Sequence, residues 1–369
     1  MKFYLIAGEK SGDLHGSNLI KSLARLNPVA QFRGFGGDEM QKAGMDVQVH
    51  YRQMAFMGVV QAVLNIRKIS QWLSFCKKDI QSFQPDVIIL IDYGGFNMRV
   101  ARFAKKNGYK VFYYISPKVW AWNVKRALKL KSTVDRMFCI LPFEKEFYKS
   151  FDWDVDYVGN PVLDAVKAFK PNPNFLHTNN LTAKGKLIAL LPGSRKVELE
   201  KMGPLLVEVI EKFPHYHFVI AALAELDQSL YKPFRSFNNV SFVLDTTYDL
   251  LMHAHAAIVT SGTATLETGL FKVPQLVVYK ATALEYAIGS RLVKVKYISL
   301  VNLIADKPIL REFIQHDANI QNVSEELRKL AEDSDYRQVM TEGYDEVYAK
   351  LDLGSASDLA ATKMLAYLS

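Results

Sequence analysis

Short apolar runs, several of them apolar at every position, recur along this chain, each separated from the next by an amphipathic stretch. Phe3–Ala7, Val87–Ile91, Val111–Ile115, Leu187–Leu191, His217–Ala222, Ala256–Thr260 and Leu276–Tyr279 are the clearest. A strand with one wet face alternates apolar and polar residues, whereas a strand buried on both faces does not. Strands of the second kind, separated by helical stretches such as Leu14–Leu26, Lys201–Phe213 and Ser324–Ala331, require parallel sheets with helices on both sides. The expected fold class is therefore α/β and doubly wound.

The pattern restarts in the middle. Residues 170–185 (KPNPNFLHTNNLTAKG) are rich in proline and asparagine and end in glycine, which is linker or turn chemistry. Lys186 then opens a new strand, LIALL, followed by the loop PGSR. A length of 369 residues suits two domains. The expectation is two Rossmann-like domains, over 1–170 and 186–344, facing each other across a cleft with ligands at the carboxyl ends of the strands.

Composition narrows the class. With 49% apolar and 23% charged residues, the chain is neither disordered nor fibrous. Its longest aliphatic run, Val87–Ile91, is too short to span a bilayer. Glu9 interrupts the N-terminal apolar run too soon for a signal peptide, so a cytoplasmic chain is expected. Cys76 and Cys139 have neither pairing nor zinc spacing, and each is expected to pack as a small buried hydrophobe. The net charge of +8 favours an anionic partner: nucleic acid, a phosphorylated substrate or a membrane surface. Solubility alone would also account for it. Nucleic acid is disfavoured by the lack of a basic-aromatic motif.

The loops after the strands hold the chemistry. The first is Ala7-Gly8-Glu9-Lys10-Ser11-Gly12-Asp13. Gly8 and Gly12 permit a tight turn, the helix start offers free N–H groups, and Glu9 and Ser11 could hold sugar hydroxyls. A plain strand-to-helix turn with Asp13 as the N-cap fits equally well. Neither a dinucleotide fingerprint nor a Walker A loop is present. Val87–Ile91 ends in Asp92-Tyr93-Gly94-Gly95-Phe96-Asn97. A carboxylate there sits where desolvation raises its pKa toward that of a useful base, though a turn aspartate is the plainer alternative. The next strand leads to Ser116-Pro117-Lys118-Val119-Trp120-Ala121-Trp122, whose tryptophans suit packing or a sugar or acyl surface.

In the second half, Gly193, Ser194 and Arg195 combine small donors with a planar fork suited to phosphate oxygens. Ser261, Gly262, Thr263, Ala264 and Thr265 lead straight into a helix and form a diphosphate cradle. Glu267, one turn on, can reach a ribose hydroxyl pair. Phe56, Met57, Val59, Val60, Val63 and Leu64, followed by Arg67 and Lys68, read as an apolar face with a basic flank, suited to anionic lipid. A core helix is the alternative. Asp152-Trp153-Asp154 and Asp154-Val155-Asp156 spell a metal-binding triplet, but they run into an edge strand and are expected to face solvent. His253 and His255 have no carboxylate near in sequence, so no metal site is expected.

Assembled, the segments AGEKSGDLHG, QMAFMGVVQAV, PDVIILIDYGGFN, YISPKVWAWNVKRA, LPFEKEFY, LLPGSRKVELE, SGTATLETGL and VKYISLVNLIADKPILREFIQ resemble the lipid-A-disaccharide synthase family, in order over most of the chain. The resemblance implies a GT-B-type fold, with a C-terminal helix over 345–369 packing back on the first domain. It also implies an inverting transfer that needs no metal or other cofactor. UDP-2,3-diacylglucosamine would donate its sugar to 2,3-diacylglucosamine-1-phosphate (lipid X), giving the β-1′,6-linked disaccharide 1-phosphate and UDP. The protein would sit peripherally on the inner face of the inner membrane, and a homodimer is left open. Asp92 matches the base, Arg195 the essential arginine, and Glu9, Ser11 and Gly12 the acceptor-side loop. Glu267 matches the ribose-binding glutamate, and Asn302, Glu312 and Gln315 match positions around the UDP-sugar. Gly94, Gly95, Asn160 and Val301 depart from the common pattern, which bears on acyl preference and loop shape. A UDP-N-acetylglucosamine 2-epimerase, a lipid II-forming transferase or a non-catalytic membrane-surface protein are the alternative readings.

Overall fold

The computed structural model describes residues 1–54, 66–181, 185–281 and 295–369. They form two compact units, one of Met1–Pro161 with Leu353–Ser369, the other of Val162–Asp352.

The first unit is built on seven parallel strands: β1 (Lys2–Ala7), β2 (Gln31–Gly36), β3 (Asp46–His50), β4 (Val87–Ile91), β5 (Lys110–Tyr114), β6 (Arg136–Cys139) and β7 (Asp156–Tyr157), ordered β3-β2-β1-β4-β5-β6-β7. The central strands β1 and β4 feed both layers of core. Tyr4, Ile6, Ile88 and Leu90 pack on one side, and Phe3, Leu5, Ala7, Val87, Ile89 and Ile91 on the other. That is why these runs carry no polar position. The winding reverses between β1 and β4, the topological switch point of such sheets. There Ala7 pairs with Ile91, and Ile91 with Tyr114. The register makes the loops that begin at Gly8, Asp92 and Ile115 leave the sheet side by side.

The second unit has six parallel strands: β8 (Leu187–Leu191), β9 (His217–Ala222), β10 (Val240–Leu244), β11 (Ala256–Thr260), β12 (Gln275–Tyr279) and β13 (Glu312–Ile314), ordered β10-β9-β8-β11-β12-β13. Its switch point lies between β8 and β11, where Val259 pairs with Leu191. The PGSR loop and the 261–267 loop are therefore neighbours.

The division differs from the bounds expected from sequence. The second unit begins at Val162, inside the segment assigned to the first, because Phe169 packs edge-on against Tyr248 and Phe271. Just beyond, the Asn172 N–H donates to Asp249 at 2.7 Å, and Phe175 is buried in that unit's core. In the described part of the stretch read as a linker, residues 170–181, Phe175 and Leu181 are thus core residues of the second unit. At the other end, helix Ser334–Leu351 stays with the second unit, and only Leu353–Ser369 joins the first. Its helix Ala356–Ala366 lays Ala360, Ala361 and Met364 on the core face of β1 and β4. Asp358 takes the Ser22 hydroxyl at 2.5 Å and Arg25 at 2.6 Å. Asp156 receives Lys363 at 2.8 Å and the Tyr367 hydroxyl at 3.0 Å. Asp152 and Asp154 are exposed as expected, but Asp156 is not the solvent-facing residue its triplet suggested. Cys76 and Cys139 are free and buried. Among the described residues, no helix is long and apolar enough to cross a membrane.

Candidate active site

In the first unit, Gly8 leaves the sheet beneath the ring of Tyr93, whose carbons lie 2.4 Å from where a Cβ would stand. No other residue fits. Glu9 is extended and precedes helix Lys10–Leu26 without capping it. Glu9 is partly buried, Ser11 exposed, and Gly12 buried with its Cβ position 3.2 Å from the Ala7 methyl. Asp13, expected as an N-cap of this helix, does something else. It lies one turn inside, buried, and its carboxylate accepts the N–H groups of Gly37 (2.7 Å), Glu39 (3.0 Å) and Met40 (3.1 Å). It caps the next helix, Asp38–Lys42, and ties the first loop to the Gly36-Gly37 turn.

Asp92 follows β4 and is partly buried. Burial, and next the negative charge of Glu9, push its carboxyl from the ordinary 3.8 up to about 6, against a smaller pull from Lys118 and a hydrogen bond from the Tyr93 backbone. A carboxylate in this range is ionised at neutral pH and basic enough to accept a proton. Its main chain is held by the Tyr113 hydroxyl, which donates to the Asp92 carbonyl at 2.6 Å, and by the Asn97 amide, which donates to it at 2.8 Å. Neither residue was singled out in the sequence, where nothing but proximity to Asp92 marks Asn97.

Beneath the neighbouring loop lies a second buried carboxylate. Glu144 accepts the Trp120 indole N–H at 3.1 Å and the Leu141 N–H at 3.0 Å, and burial pushes it up to about 7. Trp120 is thus a packed anchor of the loop; the side chain of Trp122 lies outside the described part. Ser116 completes the cluster with a 2.5 Å hydrogen bond to the Tyr148 hydroxyl.

In the second unit, the PGSR loop is shaped by Glu198. Its carboxylate accepts the N–H groups of Ser194 (2.8 Å) and Arg195 (3.1 Å) and lies 3.2 Å from an Arg195 guanidinium nitrogen. Gly193 has φ 114°, and a Cβ there would stand 2.4 Å from the same carboxylate. Arg195 is left exposed, and among the described residues its fork is held at one corner only, by Glu198.

The 261–267 loop leads into helix Thr263–Leu270. Gly262, the residue before this helix, is nearly extended, with φ 156°. The Ser261 hydroxyl donates to Ile298 O at 3.1 Å and the Thr265 hydroxyl to Gly262 O at 2.8 Å, while Leu300 N–H donates to the Thr265 oxygen at 3.2 Å. Burial raises the Glu267 carboxyl above its usual range, and the Tyr248 hydroxyl donates to it at 2.8 Å. Asn302 and Glu312 turn inward. The Asn302 amide donates to Leu310 O and Glu312, both at 2.9 Å, and its oxygen accepts Ile309 N–H (2.8 Å) and Leu310 N–H (3.1 Å). Glu312 accepts Ile298 N–H (2.8 Å) and Ser299 N–H (3.0 Å) as well. The pair, which the resemblance sets around the UDP-sugar, thus holds the backbone that abuts the 261–265 loop. Gln315 is partly buried with φ 53°, and its amide donates to Ala281 O at 3.3 Å.

Of the expected membrane patch, Phe56, Met57, Val59, Val60, Val63 and Leu64 lie outside the described residues, while Arg67 and Lys68 are exposed at the start of helix Ile66–Phe83. His253 stacks on Phe175, and His255 Nε2 lies 2.9 Å from Ala331 O. Among the described residues, no group of three His, Cys, Asp or Glu side chains could hold a metal.

A sequence model of the lipid-A-disaccharide synthetase family matches residues 3–363 of the chain. The chain belongs to that family. A lipid-A-disaccharide synthase from Syntrophus aciditrophicus is 38% identical to it over 368 residues, 98% of this chain and 96% of that protein. The synthase family makes it a glycosyltransferase of lipid A biosynthesis. Among solved structures, the UDP-GlcNAc 2-epimerase of Neisseria meningitidis bound to UDP-GlcNAc aligns over 99% of this chain and 100% of its own, with TM-score 0.68 and 16% identity. The glycotransferase of kitacinnamycin aligns over 100% and 99%, with TM-score 0.66 and 12% identity. At these identities the likeness is one of fold, and the fold is GT-B.

Proposed function

We propose that this synthase transfers the sugar of UDP-2,3-diacylglucosamine to the 6-hydroxyl of lipid X by single, inverting displacement, with no metal. The observation that carries the proposal is Asp92, a carboxylate at the carboxyl end of a central strand whose pKa stands at about 6. The acceptor binds the first unit, with Glu9, Ser11 and Gly12 beside it. Asp92 takes the proton of the 6-hydroxyl as that oxygen attacks the anomeric carbon. The bond from that carbon to the diphosphate breaks, and its electron pair leaves with UDP.

The leaving charge falls to the second unit. The start of helix Thr263–Leu270 and the free fork of Arg195 are the groups suited to it. One preorganised donor of this kind is worth about 10² to 10³ in rate. Glu267, held by Tyr248, receives the ribose. The Neisseria epimerase shares this fold and was solved with UDP-GlcNAc bound, which is in keeping with a sugar-nucleotide substrate. Both substrates carry acyl chains, so the enzyme works at the inner face of the inner membrane, with Arg67 and Lys68 toward anionic lipid.

The test is disaccharide formation from the two substrates in detergent with EDTA present. Wild type turns over; Asp92→Asn loses about 10² to 10⁴ in rate, the range of a general base. Loss of activity on chelation refutes the metal-free mechanism. Conversion of UDP-N-acetylglucosamine alone would mark an epimerase.

A further inference from the structure

We infer that Tyr113 and Asn97 are positioning residues, which clamp a strained backbone elbow and so hold the Asp92 carboxylate beside Glu9 and Lys118. The inference rests on the reading of Asp92 as the base.

The strain comes first. Directly after Ile91, paired on both sides in the sheet, Asp92 and Tyr93 both adopt left-handed conformations, with φ 43° and 47°. Each such non-glycine residue costs about 1–2 kcal/mol. Two glycines follow at once, Gly94 and Gly95, yet they sit inside helix Gly94–Lys106. The chain has glycine at hand one residue away and still places a carboxylate and a tyrosine in the costly positions. Tyr93 is needed there because its ring covers Gly8 and its hydroxyl donates to Met54 O at 2.9 Å.

The clamp comes second. Asp92 N–H still donates to Tyr114 O at 3.2 Å, so β5 keeps hold of one side of the elbow. On the other side two buried donors converge on one carbonyl, that of Asp92: Tyr113 at 2.6 Å and Asn97 at 2.8 Å. Asn97 lies wholly inside, and its amide also reaches Ile91 O at 3.2 Å and Ile6 O at 3.5 Å, which ties the ends of β4 and β1 together. Burial holds the Tyr113 hydroxyl well above its usual pKa, so it remains a donor throughout the working range. Both donors act on the main chain. The carboxylate itself takes only the Tyr93 N–H among the described residues, which leaves it open to an incoming proton.

The experiment compares Tyr113→Phe, Asn97→Ser and the double variant, with Asp92→Asn alongside. Disaccharide formation is followed from pH 5 to 9, with KM for each substrate and thermal unfolding for each variant. The charged groups around the carboxylate are Glu9 on the β1 loop and Lys118 on the β5 loop, and none of the clamp variants alters them. Tyr113 is uncharged over this range, so a displaced acid limb reports a displaced carboxylate. Expected for each single variant is a kcat lower by about 10- to 100-fold, the scale of a misplaced reacting group. KM for the UDP-sugar stays within about twofold. The acid limb moves down toward the ordinary carboxylate range as the loosened elbow admits water. The double variant loses less than the product of the singles, because both act on one carbonyl. Lower thermal stability with unchanged kcat and an unmoved acid limb would overturn the inference and leave Tyr113 and Asn97 as packing. Full turnover by Asp92→Asn would instead remove the base, and the inference with it.

Discussion

Replacing Asp92 with asparagine should make the protein more stable while it abolishes transfer. The structure supplies the magnitude. Native Asp92 has its carboxyl raised from 3.8 to about 6. Each pH unit is worth about 1.4 kcal/mol, so the ionised side chain costs the native state at most about 3 kcal/mol. Asp92 is only partly buried, and remaining hydration reduces this to about 1–2 kcal/mol. The sign follows from the raised pKa. The neutral acid is the form the fold prefers, so its stabilising contribution is full below about 4 and is lost as pH rises through about 6. Asparagine mimics the neutral acid at every pH, accepts the Tyr93 N–H and tolerates a left-handed backbone. The gain should therefore be small near pH 4, grow between about 4 and 6, and level off above. For a domain of this size it corresponds to roughly 2–8 °C in Tm. Calorimetry of wild type and Asp92→Asn at pH 4.5, 6 and 8 measures it. Equal stability at pH 8, or a gain already complete at pH 4.5, refutes the account of an Asp92 destabilised by burial.

Three further perturbations test the scaffolds around the site. Asp13→Ala strands the N–H groups of Gly37, Glu39 and Met40, which are buried or partly so. The cost should be about 2–4 kcal/mol by urea unfolding, while Asp13→Asn keeps one acceptor and loses less. Glu198→Ala frees the Ser194 and Arg195 N–H groups at an exposed loop. Stability should change by less than about 1 kcal/mol, while UDP affinity by calorimetry falls about 3- to 10-fold as the loop loses its shape. Glu312→Ala leaves Ile298 N–H and Ser299 N–H without this acceptor and removes one of the two acceptors of the Asn302 amide. Unfolding should come about 2–4 kcal/mol earlier, and UDP should bind more weakly as the backbone beside the 261–265 loop loosens.

What could be read in the sequence followed burial. β1, β4, β8 and β11 stand at the sheet centres and are apolar because both faces are covered. The outer strands do not announce themselves. β2 carries Arg33, which bridges Asp46 and Asp79 at 2.6 Å each, and β3 reads DVQVH, so neither forms an apolar run. β7 has two residues and β13 three, too short for any period. In the candidate site, Asp92 and the two loops of the second unit were visible because each follows an apolar strand. The hydrogen bonds that Asp13, Glu198, Asn302 and Glu312 make to backbone N–H groups were not. A carboxylate or amide that will serve a ligand and one that will cap backbone N–H groups are the same letter, and only distances separate them. Phe169 and Phe175 show the same limit for boundaries: the prolines and asparagines around them read as a linker, while their rings belong to a core.

The last helix, Ala356–Ala366, sets the order of events during synthesis. Residues 1–161 emerge from the ribosome with their seven strands present but one face only partly covered, by Leu19, Ile20, Leu23 and Met40, since Ala360, Ala361 and Met364 do not yet exist. At about 5–20 residues per second, roughly 10–40 s pass before the covering helix is made. Over that interval the second unit, continuous from Val162 to Asp352, is completed first. The unit that begins earliest is thus finished last, and a nascent chain stalled before Leu353 presents a partly uncovered apolar sheet face to whatever chaperone or aggregate meets it.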